Sequence, residues 1–339
     1  MPGHSRTDSS SGGTNLAGPR SAAPALLEAA RLKELVHARA DGKTLSRMVV
    51  QLGLFALSLG TLLVLDARDS VGSALGIAVL GAFSFQLFAL YAPFHECTHR
   101  TAFSSKRANV IGMWVTGIFY GYSPGLHTEF HFTHHRQTNK DDDPEAGFSL
   151  PPMPLRLLWQ ALFAGVLGAM APLHSIALAV TPTRYWDNAM ADWVAPAKRA
   201  RIAWECRAFA LIWILGGVAV VQLTNLGLEF LLALVIARTI HGVVTVSEHE
   251  GLGNEGRQVD RTRTVATHAL FRWFWWNMNY HSEHHAWASI PWHQLPAAYG
   301  EVRDRLPHLE RGYLGFLGRN LNSMSASPSA SDGATVSAK

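Results

Sequence analysis

Histidines are the residues of this chain best suited to chemistry. The sequence contains 17 of them, and eight lie in three five-residue clusters. We call these clusters the first, second and third histidine pentads: residues 95–99 (HECTH), 131–135 (HFTHH) and 281–285 (HSEHH). On a helix, residues three and four apart share a face, so each pentad directs two or three imidazoles to one place. Imidazole nitrogen is a ligand for iron, zinc, copper and nickel, so the spacing predicts metal binding.

The number of pentad histidines predicts two metal ions. A zinc site uses about four protein ligands, so one zinc would leave half of these histidines without a role. Eight or nine nitrogens suit two six-coordinate metals, with positions left for oxygen. The alternative without metal binding is that these histidines are amphipathic residues near the membrane interfaces. That alternative does not explain three clusters with this spacing.

Two shorter motifs offer competing interpretations. The first pentad matches the HExxH pattern of zinc peptidases, in which Glu96 would be the general base. That interpretation leaves the other six pentad histidines unused. Residues 251–256 match GxGxxG, but they follow an apolar helical segment instead of a strand, so a flexible loop is the better interpretation.

Several apolar segments surround the pentads. A helix needs about 20 apolar residues to span a bilayer core. Hydrophobic residues make up 48% of the sequence and charged residues only 16%, against about 25% charged in an average soluble domain. The apolar segments are residues 48–65, 71–92, 155–180, 208–223 and 228–246. This pattern predicts an all-α, polytopic membrane protein.

The positions of the pentads limit how many segments cross the membrane. If the pentads form one site, an even number of crossings must separate the second pentad from the third. Three segments intervene, so we predict that one of them, 155–180, is interfacial or re-entrant. Pro172 interrupts it, and His174 would be costly in lipid. The predicted fold therefore has four transmembrane helices, interfacial helices and a cytoplasmic helical cap that carries the site.

Charge predicts the side of the membrane that carries the site. Lys43 and Arg47 precede the first segment, and four basic residues between 198 and 207 precede the fourth. Such residues are typical of cytoplasmic loops, so both termini and all pentads are expected in the cytoplasm. The net charge of +4 is modest and dispersed, which argues against a nucleic-acid partner.

The two ends of the chain differ from the middle. Residues 1–24 and 323–339 are small and polar and are predicted to be disordered tails, which leaves 25–322 as one membrane domain. Residues 25–40 mix leucine with charged residues, as in an amphipathic helix on the membrane surface. Two cysteines exclude a disulfide scaffold.

The three pentads and their flanking residues resemble the membrane fatty acid desaturase family, with its carotenoid hydroxylase and ketolase relatives. The resemblance runs from about residue 87 to residue 306. It includes residues 138–139 (TN) with 143–144 (DP), residues 262–264 (TRT) and residues 277–280 (NMNY). One position departs from the pattern, because Glu96 stands where many acyl desaturases have Asp.

The resemblance implies two non-haem iron ions, dioxygen as co-substrate and electrons from a separate carrier. A ninth ligand usually comes from the loop after the last crossing, where His249 stands. His241 is the alternative, but it lies eight residues earlier, ~12 Å deeper along a helix. The implied catalytic ligands are His95, His99, His131, His134, His135, His281, His284 and His285, and the metal set adds His249.

Other residues near the pentads are expected to support this site. Nearby carboxylates are expected to orient the ligating histidines: Glu96, Asp141, Asp142, Asp143, Glu248 and Glu283. Asn277 or Asn279 is expected to hydrogen-bond a metal-bound water. A set of aromatics could line a substrate tunnel or form an interfacial belt: Trp114, Phe119, Tyr120, Trp273, Trp275 and Trp276. Three arginines, Arg257, Arg261 and Arg263, could hold a phosphorylated head group or an acidic electron carrier.

The activity implied by the resemblance is oxygen-dependent desaturation of a fatty acyl chain or acyl lipid. A hydroxylase or ketolase of a carotenoid or another apolar molecule is the alternative that uses the same irons. The expected partners are a ferredoxin, or a small cytochrome with its reductase. The expected location is a bacterial cytoplasmic (inner) membrane, with the active site facing the cytoplasm. A zinc membrane peptidase and a metal transporter are the alternatives from other classes.

Overall fold

The computed structural model describes residues 26–145, 155–189 and 191–320, and these residues are mostly helical. The two predicted tails lie outside the described residues. The first helices are α1 (Ala29–His37), α2 (Asp41–Asp66), α3 (Ala74–Ala89), α4 (Tyr91–Thr98), α5 (Lys106–Tyr120) and α6 (Pro124–Gln137). The later helices are α7 (Arg156–Ala169), α8 (Ala171–Val180), α9 (Pro196–Leu223), α10 (Gly227–His249), α11 (Gln258–Arg261), α12 (Ala269–Phe274), α13 (His281–Ala286), α14 (Leu295–Val302) and α15 (Tyr313–Asn320). Two 3-10 helices, Thr183–Ala189 and Arg303–Arg305, and a parallel pair of two-residue strands, β1 (Thr264–Val265) and β2 (Leu309–Glu310), complete the described structure.

Helices that suit a membrane dominate the described structure. Five segments are long and apolar enough to cross one: Asp41–Asp66, Ala74–Thr98, Arg156–Val180, Pro196–Leu223 and Gly227–His249. Their outer faces carry exposed leucine and valine, which water would not favour but lipid does. The predicted all-α polytopic fold is therefore confirmed, with the number of crossings, four or five, depending on the third segment.

Contacts of α7 indicate that the third segment enters the helix bundle without crossing it. Arg156, at the start of α7, pairs with Glu250 just beyond the end of α10 at 2.6 Å. Further along, Gly168 lies against Arg238. Arg238 is 11 residues before His249, or ~16 Å deeper along α10 at 1.5 Å per residue. Helix α7 therefore runs antiparallel to α10 from its histidine-bearing end to about half its length.

Helix α8 returns toward the side from which α7 entered. The helix bends between α7 and α8 at Met170, next to Pro172. The carbonyl of Ala179, near the end of α8, accepts from Arg207 Nε in the first half of α9 at 3.0 Å. Both ends of the α7–α8 hairpin thus lie toward the same side, which supports the predicted re-entrant segment and a count of four crossings.

A second hairpin, α5–α6, also dips toward the middle of the bundle. Helix α5 packs antiparallel to α4 through small residues: a Cβ on Gly112 would lie 2.5 Å from Cys97 Sγ, and one on Gly117 2.6 Å from the ring of Phe94. Gly121 then turns the chain with a φ of +87°, a conformation that favours glycine. Helix α6 returns from this turn and carries the second pentad back toward the first.

The segments after α10 form a cap over the histidine-bearing ends of the bundle. Backbone bonds tie this cap together: Val265 N donates to Asn279 O at 3.0 Å, and β1 pairs with β2. Helix α1 lies on the cap, where Leu35 is buried and Arg31 Nε bonds Glu301 at 2.6 Å. The amphipathic helix predicted over 25–40 is present as α1, but its apolar side packs against the cap and not against the membrane surface as expected.

Candidate metal centre

Four helices bring the predicted ligands together at the base of the cap. The first pentad lies at the end of α4, which continues α3, and the second lies on the returning helix α6. The third pentad forms α13, and His249 is the last residue of α10. Each of these elements approaches from the bundle or from the cap above it, so the imidazoles meet where bundle and cap join.

The nine histidines predicted as ligands form two groups. In each group, one nitrogen of every histidine lies within 4.8 Å of the corresponding nitrogens of the others. We call them the five-histidine group and the four-histidine group. The five-histidine group is His95, His99, His131, His135 and His284. The four-histidine group is His134, His249, His281 and His285.

Helical geometry explains how each HxxHH pentad divides between the two groups. Residues i and i+4 are only about 40° apart around a helix, whereas i+3 lies about 60° to the other side. Accordingly His131 and His135 join one group while His134 joins the other. The third pentad divides in the reciprocal way, with His281 and His285 together and His284 in the other group. Each of these two pentads therefore contributes to both groups.

The distances within the groups fit imidazoles arranged around a metal ion. His99 Nε2 and His131 Nε2 are 2.8 Å apart, and His131 Nε2 and His135 Nε2 are 3.0 Å apart. In the other group, His249 Nε2 and His281 Nε2 are 2.8 Å apart. Two nitrogens bound at right angles to one metal, with bonds of about 2.1 Å, would be separated by about 3 Å.

Most histidines of the two groups have the burial and charge state that metal ligands need. Both ring nitrogens of His95 are buried and have no hydrogen-bond partner among the described residues. Burial, with the charges of neighbouring rings, lowers the pKa of most pentad histidines outside the membrane segments, to about 3 for His284 and well below the ordinary value for His99, His131, His135, His281 and His285. Neutral imidazole is the form that binds a metal, so this environment fits two metal ions.

Hydrogen-bond partners on the far side of two rings fix their orientation, and a carboxylate lies beside a third ring. His134 Nδ1 donates to both carboxylate oxygens of Asp143, at 2.9 and 3.0 Å. Burial lowers the pKa of His134, but the charge of Glu145 and the bond to Asp143 outweigh it, so the net pKa is raised. Thr138 Oγ1 is hydrogen-bonded to His285 Nδ1 at 3.3 Å. Glu248 Oε2 lies 3.3 Å from His281 Nδ1, but this nitrogen has no hydrogen-bond partner among the described residues. Such partners leave the Nε2 atom of each ring for a metal.

The other predicted carboxylates do not orient ligands in this way. Glu96 accepts from Thr101 Oγ1 at 2.6 Å and from Trp292 N at 3.3 Å, so it ties the first pentad to the cap. Glu283 accepts from Thr264 Oγ1 at 2.5 Å and thereby holds α13 against β1. Asp141 and Asp142 are exposed. A zinc-peptidase role for Glu96 would need a carboxylate facing a water on the metal, whereas Glu96 Oε2 is bonded to the Thr101 hydroxyl and to the backbone N–H of Trp292.

The asparagines before the third pentad also have structural partners. Asn279 Nδ2 donates to Val265 O at 3.0 Å, and Asn277 Nδ2 donates to Trp292 O at 3.0 Å. These bonds hold the segment that leads into α13. Residues 251–256, which match GxGxxG, contain turns and bends between α10 and α11, as the loop interpretation expects.

His241 lies apart from both groups. Its Nδ1 atom is 2.5 Å from the hydroxyl of Tyr120. Its ring packs on Tyr91, with centroids 4.2 Å apart, and on Trp275 at 5.8 Å. The structure therefore brings His249, and not His241, to the other predicted ligands.

A narrow cavity lies between the two groups and contains residues that the sequence patterns did not indicate. It has room for about one water molecule, ~10 Å³. Tyr91, Thr245 and Glu145 line it beside the histidines. Glu145 Oε2 is buried, without a hydrogen-bond partner among the described residues, 3.7 Å from His134 Nε2 and 3.8 Å from His131 Nδ1. The signal in the sequence was weak: an acidic residue two positions after Asp143.

The predicted aromatic and basic side chains take several different positions. Of the aromatics, Trp275 lines the cavity, Tyr120 is buried beside His241, Trp276 donates to Gln51, Trp273 lies at the surface of the cap, and Phe119 is exposed on α5. Of the arginines, Arg257 pairs with Asp260, Arg261 donates to Thr138 O, and Arg263 donates to Ser247 O. These three arginines therefore have partners inside the chain.

Comparison with known proteins agrees with this site. The family model described as Fatty acid desaturase matches residues 71–316, a range that contains α4, α6, α10 and α13 and all nine grouped histidines. No curated protein gives a significant match. Because the family model covers well over half of the chain, we conclude that the chain belongs to the fatty acid desaturase family.

Proposed function

We propose that this protein is an oxygen-dependent diiron desaturase that introduces a double bond into a fatty acyl chain or acyl lipid. The observation that carries the proposal is the pair of adjoining histidine groups with a narrow cavity between them. The rings of His135 and His285, one from each group, stack with centroids 4.2 Å apart, so the two groups are in direct contact. Family membership supports an oxidoreductase of the desaturase or hydroxylase type.

Nine neutral imidazoles would hold the two irons. The five-histidine group would bind one and the four-histidine group the other, so the two sites differ in protein ligands. Bound iron supplies the activation of dioxygen and the removal of hydrogen from an unactivated C–H bond, while the protein supplies binding and orientation. Asp143 and Thr138 would keep the rings of His134 and His285 in place through hydrogen bonds at Nδ1, and Glu248 would place a carboxylate beside Nδ1 of His281.

The surroundings of the cavity suit an apolar substrate. Trp275 and Met278 line it from the cap side, and Tyr91 lines it from α4. Beneath them lies a layer of packed aromatics, in which Phe88 stacks on Trp275 with centroids 4.5 Å apart. Such walls exclude water from the space beside the irons, which protects reactive steps from side reactions. A carbon chain entering from the membrane would meet the site through this apolar layer.

Electrons and membrane orientation complete the proposal. We propose that a ferredoxin, or a small cytochrome with its reductase, supplies the electrons. We also propose a bacterial cytoplasmic membrane with the site on the cytoplasmic side, supported by the basic residues Lys43, Arg47 and Lys198 near the starts of α2 and α9.

Lipid analysis of cells tests the reaction. A host that lacks the activity would express the wild-type protein or His284→Ala, and its fatty acids would be compared by mass spectrometry. We expect an unsaturated product, two mass units lighter per double bond than its precursor, only with the wild type. A hydroxylated or keto product formed only with the wild type would favour the alternative activity. Equal lipid and pigment profiles from both variants would contradict the diiron proposal.

Metal analysis separates the remaining classes. Two irons per purified chain would support the oxygenase class. One tightly bound zinc would instead favour a peptidase that uses His95, Glu96 and His99, and loosely bound mixed metal would favour a transporter. The position of Glu96, which bonds to Thr101 and the backbone of Trp292, argues against the peptidase.

A further inference from the structure

A pocket between the start of α2 and the cap has no role in the chemistry described above. It has a volume of about 230 Å³ and opens to the surface. Arg47 of α2 and Arg272 of α12 line it, together with Trp273, Asn277 and Tyr280. No carboxylate lies among its described lining residues. The pocket therefore presents two guanidinium groups without a balancing charge in its wall.

The first arginine is held in place by aromatic rings. The Arg47 guanidinium lies 4.1 Å from the ring centre of Trp292 and 5.3 Å from that of Trp273. Its Nη1 atom is buried and has no hydrogen-bond partner among the described residues. Stacking on aromatic faces fixes a guanidinium but does not satisfy its N–H groups. An oxyanion in the pocket would satisfy them.

The second arginine is oriented by a tyrosine. Arg272 Nη1 donates to the hydroxyl of Tyr280 at 3.0 Å, which leaves its other N–H groups for a ligand. Planar guanidinium groups bind phosphate and carboxylate through paired hydrogen bonds. The surroundings are also positive: burial, with the charges of Lys43, Arg39 and Arg47, lowers the pKa of His293 to about 4.

Apolar side chains beside the pocket indicate what kind of molecule carries the anion. Val50 lies three residues after Arg47 in α2, on the same side of that helix, and is 49% exposed. Leu270 follows the lining residue Ala269 in α12 and is 65% exposed. Exposed leucine and valine on a membrane-spanning helix face lipid. An occupant would therefore have its charge on the arginines and its apolar part along these side chains. Basic pockets of this kind recognise anionic lipid head groups.

We propose that this pocket binds the anionic head group of a membrane amphiphile, with Arg47 and Arg272 as the charge-pairing residues. The pocket is connected to the metal centre through one segment of the chain. Trp273 and Asn277 line the pocket, while Trp275 and Met278, between and after them, line the cavity between the histidine groups. An amphiphile bound here would stabilise the segment 273–278, which also lines the cavity between the histidine groups. The binding proposal does not depend on which reaction the irons carry out.

Lipid binding to the full-length protein in uncharged detergent tests the proposal. Short-chain phosphatidylglycerol would be the probe, with short-chain phosphatidylcholine and inorganic phosphate for comparison, and native mass spectrometry would count the bound lipids. We expect phosphatidylglycerol to bind at least ~10-fold more tightly than phosphatidylcholine, because hydrogen bonds to charged groups are the strong ones. Inorganic phosphate should displace phosphatidylglycerol only weakly, with chloride at the same ionic strength as the control.

Three variants and one control locate the binding. Arg47→Gln and Arg272→Gln should each weaken phosphatidylglycerol binding ~10-fold. Ala269→Trp keeps both arginines but fills the pocket from its exposed rim, so it should block binding while iron content stays unchanged. Arg107→Gln removes the same charge from an exposed position at the start of α5 and should bind like the wild type.

Several results would overturn the proposal. One is equal affinity of the wild type for phosphatidylglycerol and phosphatidylcholine. Another is that Ala269→Trp, Arg47→Gln and Arg272→Gln all bind phosphatidylglycerol as tightly as Arg107→Gln does. Displacement of the lipid by inorganic phosphate at equal concentration would show a site for soluble anions and would also overturn it. If Arg47→Gln fails to fold, Ala269→Trp still tests whether the lipid occupies this pocket, because it retains every charged group.

Discussion

Replacing His249 by alanine gives the sharpest test of the proposed ligand set. His249 Nε2 lies 2.8 Å from His281 Nε2, and its ring centroid is 4.9 Å from that of His134. The four-histidine group would keep three nitrogens in the variant. His241→Ala is the matched control, because His241 lies on the same helix, eight residues earlier, with Tyr120 as its partner.

The expected magnitude follows from the role of each histidine. Loss of a residue that only hydrogen-bonds a ligand lowers metal affinity by about 10–100-fold, or about 1.4–2.8 kcal/mol. Loss of a ligand itself should cost at least the upper value, so the second iron of His249→Ala should be lost to a chelator. His241→Ala loses one hydrogen bond, worth about 1 kcal/mol of stability, together with the packing of its ring on Tyr91 and Trp275, and it should keep its iron.

The assay is iron content per chain after dialysis against a graded series of chelator concentrations. We expect about two irons in the wild type and in His241→Ala, and about one in His249→Ala. A thermal melt of each variant would show whether the chain is folded. The ligand assignment would be refuted if His241→Ala loses iron while His249→Ala retains both ions.

Three further predictions address orientation, topology and packing. Asp143→Asn should weaken iron binding by about 10–100-fold in a chelator titration, because His134 loses its carboxylate partner, whereas Asp142→Asn, at an exposed position, should not. A reporter inserted next to Asn188 should lie on the same side of the membrane as one at the N-terminus, and the opposite result would mean that the α7–α8 hairpin crosses. Gly242→Ala should lower the melting temperature by several degrees, because its Cβ would lie 2.4 Å from a carbonyl oxygen of α7, while Gly216→Ala, with open space around it, should not.

The grouping of the histidines predicted as ligands was largely readable from the sequence because helical spacing is a local property. The HxxHH spacing even contains the division between the two groups, since i and i+4 lie on one side of a helix and i+3 on the other. Which group each side joins depends on how α6 and α13 face one another, and no local pattern encodes that. The preference for His249 over His241 came from depth along α10, and the structure brings His249 to the other ligands.

Residues that act through tertiary contacts were harder to predict. Glu145 faces the cavity only because the turn after α6 folds back under Asp143, whose carboxylate accepts from the backbone N–H of Glu145 at 2.9 Å. Glu96 and Glu283 looked like ligand partners by proximity in sequence, yet each bonds to a threonine instead, Thr101 and Thr264. Sequence distance indicates which groups are near one another and does not indicate which way a side chain turns.

Two hairpins account for the long stretches of chain between the pentads. The α5–α6 hairpin turns at Gly121, where a Cβ would lie 2.9 Å from Pro172 of the α7–α8 hairpin and 3.1 Å from Trp213 of α9. The two hairpin tips therefore meet each other inside the bundle, at about half the length of α9 and α10. Since each hairpin returns to the side from which it entered, the second pentad comes back to the first and α9 starts from that same side.

The third pentad can then reach the first two after a single further pair of crossings, α9 and α10. The tips meet next to Tyr120, whose hydroxyl contacts His241, so the two hairpins pack together on the bundle side of the metal centre.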